Sequence, residues 1–265
     1  ANAGFSDGSG DAGDGQSDSP VFSIDTDLPN ALAVLSDTAL AAGETALLTI
    51  TFDEAVTGLA SGDIAVQNGA VSGLASSDGG ITWTATLIPA AAVTDASNTV
   101  SINLAGVADS PGNAAAGTIT TANYAVDTQR PTASIVVGAG TLGIGSSATV
   151  TITFSEAVSG FTNADLAVGS GQLSPVASGD GGITWTATLT PAHGVSTSGN
   201  VIALNGAGVQ DAAGNTALAP AVSNAYAVET PVAVPEPMNL VDGVAVEVAL
   251  VKDPLLGLDL SVVTV

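Results

Sequence analysis

The sequence contains no cysteine. That excludes disulfides, thiol catalysis and Cys-ligated zinc or iron–sulfur centres, and an extracellular chain of this kind must find another staple. Basic residues are almost as scarce: two Lys and Arg stand against 25 Asp and Glu, for a formal net charge of −23. With nothing to neutralise phosphates, nucleic-acid binding is excluded, and docking on anionic membranes is disfavoured. Aromatic residues make up only 3% of the chain, so any core is built from Val, Ile, Leu and Ala. No apolar run reaches the roughly 18 residues of a membrane helix, and the mean hydropathy of +0.47 comes from scattered Ala and Val. The chain opens on Ala1 without a charged, then apolar, leader, so it reads as a mature chain or an excised piece. A Gly-rich phosphate loop with its Lys is missing. Gly4-Phe5-Ser6-Asp7-Gly8 matches a nucleophile pattern in letters only, without the strand–turn–helix context that such a Ser needs.

What the chain does contain is a repeat. Gly79-Gly80-Ile81-Thr82-Trp83-Thr84-Ala85-Thr86-Leu87 returns as Gly181-Gly182-Ile183-Thr184-Trp185-Thr186-Ala187-Thr188-Leu189, an offset of 102 residues. The same offset relates Pro29 to Pro131, Phe52 to Phe154, Asp78 to Asp180 and Tyr124 to Tyr226, with no gap. Two tandem modules follow, residues 25–126 and 127–228. Within each, apolar and polar residues alternate with period two, the mark of half-buried strands. Ala46, Leu48, Ile50 and Phe52 point one way and Thr49 and Thr51 the other; Val100, Ile102 and Leu104 behave likewise. About seven short runs per module, broken by Gly, Asp, Asn and Pro, predict an all-β protein of two tandem Ig-like β-sandwiches. In simple sandwich topology the N-terminal linker shares one end with the loops after the second, fourth and sixth strands. Trp83 and Trp185 fall on inward positions, Tyr124 and Tyr226 at the core edge, and His193 in a solvated loop.

The flanks differ. Residues 1–24 form an acidic linker rich in Gly, Ser and Asp. Residues 229–237 form a stiff Pro-rich connector. Residues 238–265 read as a β-hairpin, from a partial third module or an assembly strand, which by itself is marginal in water.

The polar residues that invite chemistry are acids near one end of each module. In the second these are Asp127 in the linker, Glu156 after the second strand, and Asp211 with Asn215 in the loop after the sixth. The first repeats them as Asp25, Glu54, Asp109 and Asn113, with Asp27 as an extra acid. Hard oxygen donors of this kind suit Ca2+, which takes six to eight oxygens; without a cation they repel one another. Against this stands the ordinary role of Asp and Asn in turns, capping their own backbone. Arg130, in the linker, is expected to pair with a nearby acid.

In combination, Asp-Thr-x-x-Pro, Thr-Phe-x-Glu-Ala-Val, Asp-Gly-Gly-Ile-Thr-Trp-Thr-Ala-Thr-Leu and Asp-x-x-Gly-Asn, in that order, resemble the bacterial Ig-like repeats of large secreted adhesins and surface proteins. The resemblance covers roughly residues 25–228. It implies sandwiches strung as a rod on the extracellular bacterial surface, with Ca2+ stiffening junctions built from the acids named above. The implied role is a structural spacer rather than an enzyme. Its partners would be neighbouring modules, identical subunits or a cell-surface or matrix ligand. Two alternatives stand beside it. One is a self-assembling subunit of a filament or surface layer that uses its terminal segments for strand addition. The other is a glycan-binding or accessory module of a secreted hydrolase, which would call for an exposed aromatic platform. Glu229 stands where the linker Asp would be expected at a third junction.

Overall fold

The computed structural model describes residues 24–232. The expectations for the acidic segment before residue 24 and for the hairpin at 238–265 lie outside the described residues. The first module comprises β1 (Ala31–Leu35), β2 (Ala39–Ala41), β3 (Ala46–Phe52), β4 (Val56–Thr57), β5 (Ile64–Val66), β6 (Gly69–Ser76), β7 (Thr82–Pro89), β8 (Thr94–Asn98), β9 (Val100–Asn103), β10 (Ala108–Asp109), β11 (Thr118–Thr120) and β12 (Tyr124–Asp127). The second comprises β13 (Ala133–Val137), β14 (Thr141–Gly143), β15 (Ala148–Phe154), β16 (Leu166–Val168), β17 (Gly171–Leu173), β18 (Ala177–Ser178), β19 (Thr184–Pro191), β20 (Ser196–Asn200), β21 (Ile202–Leu204), β22 (Ala221–Val222) and β23 (Tyr226–Glu229).

Each module packs two sheets face to face. In the first, one sheet has the order β1-β3-β7-β6, and the other is assembled from β5-β9-β11 and β2-β12-β8. Strands β8 and β9 are one run interrupted at Thr99, so the chain folds as about seven strands, as the alternation predicts. The first strand is split: β1 pairs antiparallel with β3, then β2 crosses to the other sheet and pairs parallel with β12. This is the Ig-type arrangement. The second module repeats it as β13-β15-β19-β17 opposite β14-β23-β20 and β16-β21-β22. One difference has a local cause. Strand β6 runs unbroken through a bulge, whereas its counterpart is split into β17 and β18 around Pro175, which has no N–H to give to a ladder.

The inward residues make two separate cores. Leu48, Ile50, Leu87, Val100, Ile102 and Tyr124 are fully buried in the first, and Val150, Ile152, Leu189, Ile202 and Val228 in the second. The tyrosines lie inside rather than at the edge, because their hydroxyls find partners: Tyr124 donates to Gln67 O and Tyr226 to Gly169 O. Each Trp packs half-buried against its core and donates from Nε1, Trp83 to Gly80 O and Trp185 to Gly182 O, both at 3.0 Å. In the second module Trp185 and Phe154 stack edge-on against Phe161 at 5.3 Å each. His193 is exposed after β19, as expected of a loop residue.

Candidate metal centres at the module entrances

Strand polarity brings three segments to the N-terminal end of each sandwich: the incoming linker, the turn after β3 or β15, and the loop after β9 or β21. The result is two carboxylate triads, Asp25–Glu54–Asp109 and Asp127–Glu156–Asp211. In each, one carboxylate oxygen per residue lies within 4.8 Å of the other two. Two oxygens bonded to one Ca2+ at about 2.3–2.6 Å cannot be much farther apart than this. The donor set is all hard oxygen, which fits Ca2+ rather than a metal that prefers nitrogen or sulfur.

The Asp-x-x-Gly-Asn loop is shaped by its own side chains. Asp109 Oδ1 accepts from Gly112 N and Asn113 N, both at 2.7 Å, and Asp211 Oδ1 accepts from Asn215 N at 2.8 Å. Closure of that turn draws the acids inward: Asp109 is 5% exposed and Asp211 6%. Glu54 and Glu156 lie two residues after the buried Phe52 and Phe154 and are half-buried. Burial pushes the Glu54 carboxyl above its usual range, and Asp109, Asp25, Asp53 and Asp27 push it further. Burial, then Asp211 and Asp127, do the same to Glu156. Burial also opposes ionisation of Asp109. The hydrogen bonds from Asn113, from the Gly112 N–H and from Glu54 outweigh it together, and hold Asp109 below its ordinary value. In each triad, then, charges are held close together, and the carboxyl of the Glu is pushed above its ordinary value.

Three of the nine residues singled out in the sequence stand outside the triads. Asn113 and Asn215 turn their amide nitrogens toward the acids: Nδ2 donates to Asp109 Oδ2 at 2.8 Å and to Asp211 Oδ2 at 2.9 Å. In this orientation the two side chains aim the carboxylates through their amide nitrogens. Asp27 is exposed; its N–H donates to Asp25 Oδ1 at 3.1 Å, and its charge adds to the upward push on Glu54.

Asn215 also joins the modules. Its Nδ2 donates to Asp127 O at 2.9 Å and Gln129 O at 3.2 Å, and its Oδ1 accepts from Ala42 N of the first module at 2.6 Å. The linker is tied on both sides. Thr128 Oγ1 donates to Ala90 O at 2.7 Å in the first module, and Leu218 N donates to Pro131 O at 2.8 Å in the second. Among the described residues Arg130 does not pair with an acid. Its Nε donates to Thr216 O at 2.7 Å, because the rigid linker aims it at the carbonyls of the loop after β21. An apolar groove of about 350 Å³, lined in part by Thr45, Ile88, Ala92 and Leu218, lies alongside. Sequence reading missed Thr128, whose repeat Thr230 likewise donates to Ala192 O, although its recurrence at the 102-residue offset was the available signal. Glu229 closes β23 as Asp127 closes β12, and accepts from Ser196 Oγ at 2.6 Å, where Asp127 accepts from Thr94 Oγ1 at 2.9 Å.

The sequence profile of the Bacterial Ig-like domain matches residues 25–126 and again residues 127–228. The chain belongs to that family. Among proteins of curated function, none matches it in sequence. Among solved structures, this pair of bacterial Ig-like domains is similar to the Escherichia coli adhesin FdeC, at 16% identity and a TM-score of 0.37 over 78% of this chain and 67% of that one. It is also similar to the Yersinia pseudotuberculosis adhesin InvE, at 15% identity and a TM-score of 0.31 over 73% of this chain and 58% of that one. The I9–I11 tandem of titin matches over 75% of this chain and 66% of that one, at 5% identity and a TM-score of 0.25. Membership of the bacterial Ig-like family rests on the profile match. No helix among the described residues is long and apolar enough to cross a membrane.

Proposed function

We propose that this chain is a structural spacer of a bacterial surface or secreted adhesin, without catalytic activity, and that Ca2+ at the module entrances sets its stiffness. The observation that carries the reading is the composition of the second triad. Asp127 ends the last strand of the first module, while Glu156 and Asp211 belong to the second. A divalent cation there would neutralise crowded carboxylates and fasten one module to the next. Asp127, Glu156 and Asp211 would hold it, backbone carbonyls and water completing six to eight ligands. Asn215 would keep Asp211 aimed and hand the constraint to Ala42. Extracellular modules typically bind Ca2+ at about 10⁻⁴–10⁻³ M, so such a rod would stiffen outside the cell. At a free Ca2+ ten times the dissociation constant, mass action stabilises the folded state by about 1.4 kcal/mol per site.

The test is calorimetric titration of the chelated chain with Ca2+, together with small-angle scattering with and without the ion. Two binding events with a narrower, longer distance distribution are expected, and Asp211→Ala should lose one event and the change in shape. Equal heats and equal scattering for parent and variant would refute the reading.

A further inference from the structure

The outer face of the β1-β3-β7-β6 sheet is uncharged, as is that of its repeat β13-β15-β19-β17, but it carries four large apolar side chains where the repeat carries one. Its outward positions are Leu32 and Val34 on β1, Leu47, Thr49 and Thr51 on β3, Thr82, Thr84, Thr86 and Ile88 on β7, and Ala70, Ser72 and Ala75 on β6. None of these is charged, in a chain with 25 acids. Across the strands Leu32 lies opposite Thr51 and Val34 opposite Thr49, with Thr86 opposite Leu47 and Ala70 opposite Ile88. The apolar residues therefore step diagonally across the sheet, and diagonal neighbours on one face are within reach of long side chains. They are also among the most exposed large hydrophobics of the module: Leu32 67%, Val34 49%, Leu47 47% and Ile88 46%.

The second module supplies the comparison. The same strands and register recur there, yet the four positions become Ser134, Val136, Thr149 and Thr190. The fold therefore does not require large apolar side chains on this face, since the repeat does without three of them. The stripe is a property of the first module alone.

We propose that this face pairs with the same face of a second copy of the chain. Charge selects the occupant. Two molecules of net charge −23 repel, and contact between them is favourable only where neither presents carboxylates; of the two uncharged sheet faces, this one adds the apolar stripe. A two-fold axis through the sheet lays one stripe across the other, as in the aligned packing of two sheets about 10 Å apart. Seven residues along β3 span roughly 24 Å and four strands roughly 19 Å, which gives about 450 Å² per copy. The total of about 900 Å² falls below a standard permanent interface and above most adventitious contacts. The pairing is accordingly weak and lateral, suited to rods crowded side by side. It requires no cation, so it stands or falls separately from the Ca2+ reading.

The test is sedimentation of the full chain in chelator at moderate salt, from about 5 to 500 μM. A reversible monomer–dimer equilibrium is expected, strengthened by added salt as charge repulsion is screened. The triple variant Leu32→Ser, Leu47→Thr, Ile88→Thr gives the first module the residues its repeat already carries on the same backbone, so folding is preserved. It should weaken dimerisation at least tenfold. The control Thr149→Asn in the second module should leave it unchanged. A parent chain that remains monomeric throughout, or a triple variant that dimerises as the parent does, overturns the proposal.

Discussion

Asn215→Ala removes a side chain that touches the carboxylate triad, the linker and the preceding module together. Asn215 is 3% exposed and makes four contacts: from Ala42 N at 2.6 Å, and to Asp127 O, Asp211 Oδ2 and Gln129 O at 2.9, 2.9 and 3.2 Å. A neutral hydrogen bond contributes about 0.5–1.5 kcal/mol net and one to a charged group about 1.5–3 kcal/mol. The long contact to Gln129 counts for little, and the vacated space admits water to the orphaned carbonyls. The expected loss is therefore about 2–4 kcal/mol rather than the full sum. Its counterpart Asn113→Ala should cost less, because Asn113 is half-buried and among the described residues its amide reaches Asp25 O and Asp109 Oδ2. The assay is urea unfolding in chelator, followed by Trp185 fluorescence in a Trp83→Phe background so that only the second module reports. Scattering on the same samples should show a broader range of inter-module angles, since the tie to Ala42 is cut. A stability within about 0.5 kcal/mol of the parent, with unchanged scattering, would refute the assignment of Asn215 as a clasp.

Gly182→Ala would place a Cβ 2.4 Å from Val158 O at φ +98°, so strain and a backbone clash coincide; a loss of at least about 3 kcal/mol is expected by chemical denaturation. Asp78 is held at about 2, below its ordinary 3.8, chiefly by the Thr82 N–H and also by Ser76 Oγ. Its stabilisation is complete above 3.8 and lost as pH falls through 2, so Asp78→Asn should flatten the acid limb of the melting curve in that window. Glu156 has the opposite sign. Its carboxyl sits above 4.5, so the chelated protein gains stability as pH falls through the raised value, until glutamates of the unfolded chain protonate too. Glu156→Gln should remove that slope and raise the melting temperature in chelator at neutral pH, while forfeiting any gain from Ca2+.

Much of this was legible in the sequence because it depends on local rules. The exact 102-residue offset fixes two modules of one fold, and period-two alternation places Leu48, Ile50 and Phe52 inside and Thr49 and Thr51 outside. Strand count and polarity were enough to bring Asp127, Glu156 and Asp211 to one end, because alternating strands return every second loop to the same side. Tertiary structure decided the rest. Whether an Asn points its oxygen or its nitrogen at a carboxylate depends on what surrounds the other end of the amide. For Asn215 that is Ala42, 173 residues away in sequence, together with two linker carbonyls. Among the described residues Arg130 meets carbonyls rather than an acid, because the linker is pinned on both sides. Alternation likewise marks Leu32, Val34, Leu47 and Ile88 as outward, but only the register of β1, β3 and β7 turns four separate exposed residues into a single stripe, since neighbours across a sheet are set by pairing and not by order along the chain.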